Sequence, residues 1–166
     1  HYLFITEVEC VGDGYTTPGS SPYPSSSTTT PEPFCVNDGH EPNDDPANPT
    51  SIASVDETIL GVACRRGDTD WFSVPIDCPT PHARVHVSVQ ADPSQGPAAV
   101  GVLDEDMAFV AHSASPDHDK DLEFVWADTS LAMLLSVYAA SDDNAQYQVD
   151  FEVECVESYD VTECAP

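Results

Sequence analysis

The sequence has few basic residues and lacks the motifs that identify common enzymes. Four Lys and Arg residues stand against 30 Asp and Glu residues, which gives a formal net charge of −26 at pH 7. Such a charge repels nucleic acids and anionic membranes and favours cations, above all divalent ones. No G-x-S-x-G motif is present, and no apolar run reaches the length of a transmembrane helix. We therefore expect no nucleic-acid partner, no membrane insertion and no enzymatic activity.

Zinc-type cysteine spacing is also absent, because none of the six cysteines belongs to a C-x-x-C pair. An even number of cysteines without this spacing favours disulfides, which form in an oxidising compartment. We therefore expect a secreted, extracellular protein that begins where a signal peptide or a larger precursor was removed. Pairing of Cys10 or Cys35 between chains is an alternative to the arrangement we favour, in which neighbours in the sequence pair: Cys10 with Cys35, Cys64 with Cys78, and Cys155 with Cys164.

A strand-like segment occurs twice, near each end of the chain. Residues 2–11 align without a gap on residues 147–156, and six of the paired positions are identical. Both copies alternate apolar and polar residues, as a strand with one buried face does. The first copy is set apart from the body of the chain, which favours a strand that inserts elsewhere. Its inward-facing residues are predicted to be Tyr2, Phe4, Thr6, Val8 and Cys10.

Residues 11–34 are rich in Ser, Thr and Pro and are predicted to be a linker. Proline-rich chain extends by about 3.1 Å per residue, so this linker reaches on the order of 70 Å. That distance allows the N-terminal strand to reach a neighbouring molecule or to fold back on its own domain. Serine and threonine beside proline also suit O-glycosylation. The candidate sites are Ser25, Ser26, Ser27, Thr28, Thr29 and Thr30.

The rest of the chain, residues 35–166, is predicted to be a single β domain. Short runs of strand-forming residues alternate with turn sequences, and no segment keeps a helical apolar period. About eight such strands predict an antiparallel, jelly-roll-like β-sandwich, which carries the extra N-terminal strand on its linker. The predicted strands are 58–63, 70–76, 83–90, 98–103, 107–112, 122–126, 131–138 and 146–155.

Three motifs give this domain a family resemblance. Residues 41–47 read Glu-Pro-Asn-Asp-Asp-Pro-Ala, Gly61 and Val62 follow, and residues 67–72 read Gly-Asp-Thr-Asp-Trp-Phe. Together with a closing strand at residues 147–151, they resemble the bacterial pre-peptidase C-terminal domain over residues 38–155. Asp45 stands where that family usually has threonine. The resemblance implies an exported sandwich that accompanies secreted hydrolases, is not itself catalytic, and in some relatives binds calcium or a protein or polysaccharide surface.

The first and third of these motifs supply a candidate calcium site. Calcium prefers carboxylate, amide and backbone oxygens, which both acidic motifs provide before two neighbouring strands. The alternative is that these residues only form turns and cap loops. The predicted ligands are Glu41, Asn43, Asp44, Asp68 and Asp70.

Two functions follow from these observations. In the first, the protein is the subunit of an extracellular filament, and the N-terminal strand of one copy adds to the sheet of the next. This hypothesis makes the protein its own partner, with glycans as possible additional ligands on the linker. In the second, the chain is a calcium-stabilised accessory domain that binds a protein or polysaccharide surface, and residues 2–11 remain from a preceding tandem domain.

Overall fold

The computed structural model describes residues 38–64 and 67–158, and within these residues every regular element is a β-strand. No helix of the described part is long and apolar enough to cross a membrane. The strands are β1 (Thr50–Ser51), β2 (Ile59–Ala63), β3 (Thr69–Val74), β4 (His82–Ala91), β5 (Ala98–Leu103), β6 (Phe109–Ser113), β7 (Asp119–Trp126), β8 (Met133–Ala139) and β9 (Ala145–Val156).

The strands form two sheets. The larger sheet has the order β1-β3-β8-β5-β6, and the smaller one has the order β2-β9-β4-β7. All pairs are antiparallel except β1 with β3, which are parallel. The last strand, β9, lies inside the smaller sheet and is paired on both sides. The predicted β-sandwich is confirmed, with the short β1 as an additional strand.

Alternation along the strands positions the core between the two sheets. In β4, alternate residues from Ala83 to Ala91 are buried, and the residues between them are exposed or half-buried. β3 and β9 alternate in the same way, so that Phe72 and Val149 meet the inward side chains of β4 and β8 in one cluster. Burial of these apolar surfaces is the main favourable contribution to folding.

The predicted pairing of cysteines that are neighbours in the sequence is wrong for the described residues. Cys78, in the connection from β3 to β4, is bonded to Cys155 near the end of β9, with a sequence separation of 77. Cys64 is also disulfide-bonded, but to neither of these two residues. The bond forms because β9 pairs with β4 in the smaller sheet. Cys155 stands directly opposite Ala83 and therefore lies near the connection that leads into β4.

Several predictions concern residues outside the described part of the chain. These are the N-terminal strand with Tyr2, Phe4, Thr6, Val8 and Cys10, the linker with its O-glycosylation candidates at residues 25–30, and the pairing of Cys10 with Cys35. Cys164 also lies there, but the predicted Cys155–Cys164 bond is excluded because Cys155 is bonded to Cys78.

Candidate functional site

Three of the predicted calcium ligands meet at one end of the sandwich. One side-chain oxygen from each of Glu41, Asp44 and Asp68 lies within 4.8 Å of the others. We call these three residues the acidic cluster. Glu41 and Asp44 come from the loop before β1, whereas Asp68 immediately precedes β3. Glu41 and Asp68 are half-buried and Asp44 is exposed, so the cluster opens to solvent on one side.

The other two predicted ligands, Asn43 and Asp70, lie behind the cluster and are fully buried. In the amide orientation that satisfies both of its groups, the Asn43 side-chain nitrogen donates to Asp70 Oδ1 (3.2 Å) and to Glu41 Oε2 (3.3 Å). The Asn43 backbone N–H also donates to Glu41 Oε2, at 3.2 Å. Asn43 therefore holds the Glu41 carboxylate in place, and a role in positioning the cluster fits it better than direct contact with an ion.

Asp70 has a second partner on the opposite sheet. The Tyr147 hydroxyl, on β9, donates to Asp70 Oδ2 at 2.7 Å. Burial and the neighbouring Asp70 raise the pKa of Tyr147 far above its usual range, so the hydroxyl keeps its proton. Tyr147 is not among the site residues predicted from the sequence. The only available signal was its place in the closing motif of the family that the chain resembles.

Gly61 makes this contact possible. It stands opposite Tyr147 in the β2–β9 register. A Cβ atom at residue 61 would lie 2.3 Å from the Tyr147 ring and 2.9 Å from Asp38 Oδ2, both shorter than real Cβ contacts. The glycine therefore lets the tyrosine ring lie flat across β2 and reach Asp70. This explains the glycine of the Gly-Val motif.

Carboxylates of the same region also close the outer edge of β2. Asp38 Oδ2 accepts a hydrogen bond from the Val62 N–H (2.8 Å), and Asp68 Oδ2 accepts one from the Cys64 N–H (2.5 Å). Unpaired edge groups are places where another strand can add. One outward N–H group of β2, that of Val62, and one just beyond its end, that of Cys64, are therefore already satisfied by side chains.

The electrostatics of the site favour a bound positive charge. Burial, followed by a hydrogen bond with the Asp44 carboxyl, raises the pKa of Asp68 to about 6. Burial also raises the pKa of Asp70 to about 7, against the opposing effect of the Tyr147 hydrogen bond. The ion pairs between described residues involve Arg84 and His86 on the smaller sheet, so none of these pairs neutralises the acidic cluster. Neighbouring carboxylates also raise both pKa values by repulsion between like charges, and a cation that binds carboxylates would relieve it.

The opposite edge of the larger sheet presents apolar side chains instead. Met107 exposes 43% of its surface and Phe109 exposes 53%. Both belong to the β5–β6 hairpin, and we call this pair the hairpin tip. The buried Asp104 carboxylate accepts hydrogen bonds from the N–H groups of Asp106 (3.0 Å) and Ala108 (2.9 Å), which fixes the turn.

The backbone of this turn is strained at Met107. Met107 has φ of 61°, a left-handed conformation that costs a residue with a side chain about 1 kcal/mol or more. The Phe109 ring covers Gly101, where a Cβ atom would lie 2.6 Å from the ring, and it packs on His112 at 5.4 Å between ring centroids. A fixed, strained turn thus holds two apolar side chains towards solvent.

The fold just described has a counterpart among solved structures. It is similar to a pre-peptidase C-terminal domain. That domain belongs to a collagenase from Bacillus anthracis, and the similarity covers 66% of this chain and 100% of the solved one. The TM-score is 0.53 and the sequence identity is 16%, so the likeness is one of fold. The family resemblance predicted from the three motifs is confirmed at that level.

No family model matches the sequence, and no curated protein matches it.

Proposed function

We propose that the chain is a calcium-stabilised, non-catalytic binding domain of a secreted protein. The observation that carries this proposal is the acidic cluster, which brings Glu41, Asp44 and Asp68 together within 4.8 Å on a sandwich similar to the pre-peptidase C-terminal domain of a collagenase. Calcium accepts about six to eight oxygen ligands in flexible geometry. The three carboxylates supply part of this set, and water and backbone oxygens complete it.

Calcium contributes stability in this proposal rather than chemistry. An ion that binds only the folded state stabilises it, by about 2.7 kcal/mol when its concentration is a hundred times its dissociation constant. This gain offsets the self-repulsion of a chain whose formal net charge is −26.

The melting temperature with and without calcium tests this part of the proposal. We expect removal of calcium by EDTA to lower the melting temperature by roughly 10 °C. Asp68→Asn should abolish most of that difference. Asp45→Asn is the matched control, because Asp45 closes a neighbouring turn through Ala47 and Asn48 and lies outside the cluster. An equal response in all three proteins to EDTA contradicts the proposed site.

The hairpin tip is the binding surface we propose. Methionine and aromatic residues adapt well to partner surfaces, and an exposed apolar group on a rigid turn binds without a large loss of conformational entropy. The expected ligand is the apolar surface of an extracellular protein. Sedimentation with type I collagen fibrils is the test, with insoluble chitin as the second arm.

The variant Phe109→Ala should reduce the bound fraction at least fivefold. Leu60→Ala is the control, since Leu60 is 60% exposed but lies on β2, in the other sheet. Binding to chitin alone would redirect the proposal to polysaccharides. Binding to neither polymer, or equal effects of the two variants, would contradict it.

A filament subunit is the second function we propose, and the repeated strand at residues 2–11 supports it. Here the partner is a second copy of the chain, joined head to tail. Deletion of residues 1–10 should leave a folded monomer, whereas polymers that persist in the deletion variant exclude the strand as the connector. Electron microscopy of negatively stained protein distinguishes fibres from isolated domains.

A further inference from the structure

The second copy of the repeated strand has a defined place in the fold. Residues 147–156, of which 2–11 are the copy, lie in β9. β9 is not an edge strand, because it pairs with β2 through Ala145–Val149 and with β4 through Tyr147–Val156. We call this place between β2 and β4 the β9 position.

Most of the side chains through which β9 contacts other strands or loops are repeated in residues 2–11. Five residues of 147–156 make a polar side-chain contact or a disulfide with another strand or a loop, namely Tyr147, Asp150, Glu152, Glu154 and Cys155. Tyr147 donates to Asp70 (2.7 Å), Glu154 accepts from Arg84 (2.7 Å), Glu152 lies 4.0 Å from His86, and Cys155 is bonded to Cys78. Four of the five are identical in the copy, where they are Tyr2, Glu7, Glu9 and Cys10.

The fifth residue is not kept. Asp150, which accepts a hydrogen bond from Thr58 at 2.6 Å, is replaced by Ile5. The inward-facing pair Val149 and Phe151 is replaced by Phe4 and Thr6. This exchange moves the large side chain by two positions on one face and changes the total volume little, which is the kind of core change that proteins tolerate best.

An ordinary sheet edge does not offer these partners. The outward-facing residues of β7, the edge strand of the smaller sheet, include Asp119, Asp121 and Glu123. They would repel the two glutamates of the copy if it paired there on the same face. Among the described residues, only the surroundings of the β9 position combine all the partners that the copy needs. These are a buried carboxylate for Tyr2, an arginine and a histidine for the glutamates, and a cysteine for Cys10.

We propose that residues 2–11 bind in the β9 position of a second copy of this sandwich. The strand competes there with the β9 of that copy, so exchange is favoured when the hold on β9 is weakened. The disulfide between Cys78 and Cys155 is the covalent part of that hold. In the exchanged arrangement, Cys10 lies where Cys155 lies and faces Cys78.

The test is disulfide mapping of the full-length Cys155→Ser variant after oxidative refolding. We expect a Cys10–Cys78 bond, found in covalent dimers whose fraction increases with protein concentration. The same variant with Val8→Asp is the control, because an inward charge opposes burial of the strand. It should lose the bond at least tenfold.

Three outcomes overturn the proposal. Cys10 remains bonded to another cysteine while Cys78 stays a thiol, or the Cys10–Cys78 bond forms equally well with Val8→Asp, or the bond forms only within monomers. The last outcome assigns the strand to its own domain. The inference rests on the strand addition that the proposed filament also uses, and it adds the position that accepts the strand. Polymers that need residues 1–10 but form without a Cys10–Cys78 bond would overturn the inference and leave the filament standing. None of these readouts depends on calcium or on the hairpin tip, so they are independent of the proposed binding domain.

A second measurement covers the case in which Cys155→Ser does not fold. Val149→Phe, Phe151→Thr and the double variant are made in the otherwise unchanged chain. If the copy is adapted to the β9 position, the double variant should melt at a higher temperature than Val149→Phe alone. A double variant that is destabilised by the sum of both single changes, or by more, contradicts the proposal.

Discussion

The acidic cluster and the hairpin tip lie at opposite edges of the sandwich and depart from ordinary packing in opposite ways. The cluster end buries polar groups, including the fully buried Asn43 and Asp70. The hairpin tip leaves apolar side chains in water and holds Met107 in a strained conformation. Both arrangements lower the stability of the isolated domain. In the function we propose, a bound cation offsets this cost at one end and a partner surface offsets it at the other.

The largest change in the free energy of unfolding is expected at the cluster end, for Gly61→Ala. The added Cβ forces the Tyr147 ring away from β2 and breaks its hydrogen bond with Asp70. Overpacking of this kind costs about 2–3 kcal/mol, and the buried Asp70 carboxyl loses a partner as well. Denaturant unfolding of the variant and the original chain measures this loss of stability. Gly39→Ala is the matched control, because a Cβ there meets nothing within 4 Å, and an equal loss in both variants contradicts the packing argument.

The next effect is a pH dependence confined to the cluster end. In the absence of calcium, folded Asp68 and Asp70 have raised pKa values, of about 6 and 7. Between their ordinary value of 3.8 and these values, the folded state keeps protons that the unfolded chain has released. The stability they contribute is therefore complete below about pH 4 and is lost as the pH rises towards 7.

Asp70→Asn isolates the contribution of Asp70 to this pH dependence, because it removes the charge of the side chain and keeps its shape. At pH 8 in EDTA the variant should be more stable than the original chain by on the order of 2 kcal/mol, and at pH 4 the two should be equal. Asp56→Asn, at an exposed position, serves as the control. A constant difference between pH 4 and pH 8 would show that Asp70 does not carry the dependence.

A smaller effect of the opposite kind is expected at the hairpin tip. Met107→Gly relieves the left-handed backbone and should stabilise the domain by about 1 kcal/mol. The same change removes an exposed apolar side chain and should weaken binding to the polymer identified in the sedimentation assay. Higher stability with unchanged binding would remove Met107 from the binding surface, and lower stability would refute the strain argument.

The smallest effect is expected between these two regions, on the outer face of the smaller sheet. Arg84 lies 2.7 Å from Glu154 and 3.8 Å from Glu123, and its side chain is half exposed. Exposed ion pairs contribute about 0–1 kcal/mol, so Arg84→Ala should cost less than 1 kcal/mol at low salt and almost nothing in 0.5 M NaCl. A loss as large as that of Gly61→Ala would place the electrostatic stability of the domain here instead of at the acidic cluster.

The features that depend on local pattern could be predicted from the sequence. Period-two alternation in β4 and β9 identified the buried faces, and the acidic motifs before β1 and β3 identified three residues that meet. The predictions were wrong where the outcome depends on which strands become neighbours. The Cys78–Cys155 bond follows from the pairing of β4 with β9 across a long stretch of chain.

The roles within the site were hidden for the same reason. Asn43 and Asp70 have the chemistry of ligands, yet both are buried behind the cluster, and Asp70 is hydrogen-bonded to Tyr147 of β9. Tyr147 reaches Asp70 only because Gly61 stands opposite it in the register of β2 and β9. Strand β1 is two residues long and leaves no recognisable period in the sequence. Met107 was predicted to lie in a strand, but the hydrogen bonds to Asp104 place it in the turn.

Calorimetric titration of the calcium-free protein with CaCl₂ tests the central claim most directly. We predict one calcium ion bound per chain, with the binding heat abolished by Asp68→Asn and retained by Asp45→Asn. The absence of binding heat in the unchanged chain together with a melting temperature that calcium leaves unaltered, or binding that survives Asp68→Asn, would contradict the account.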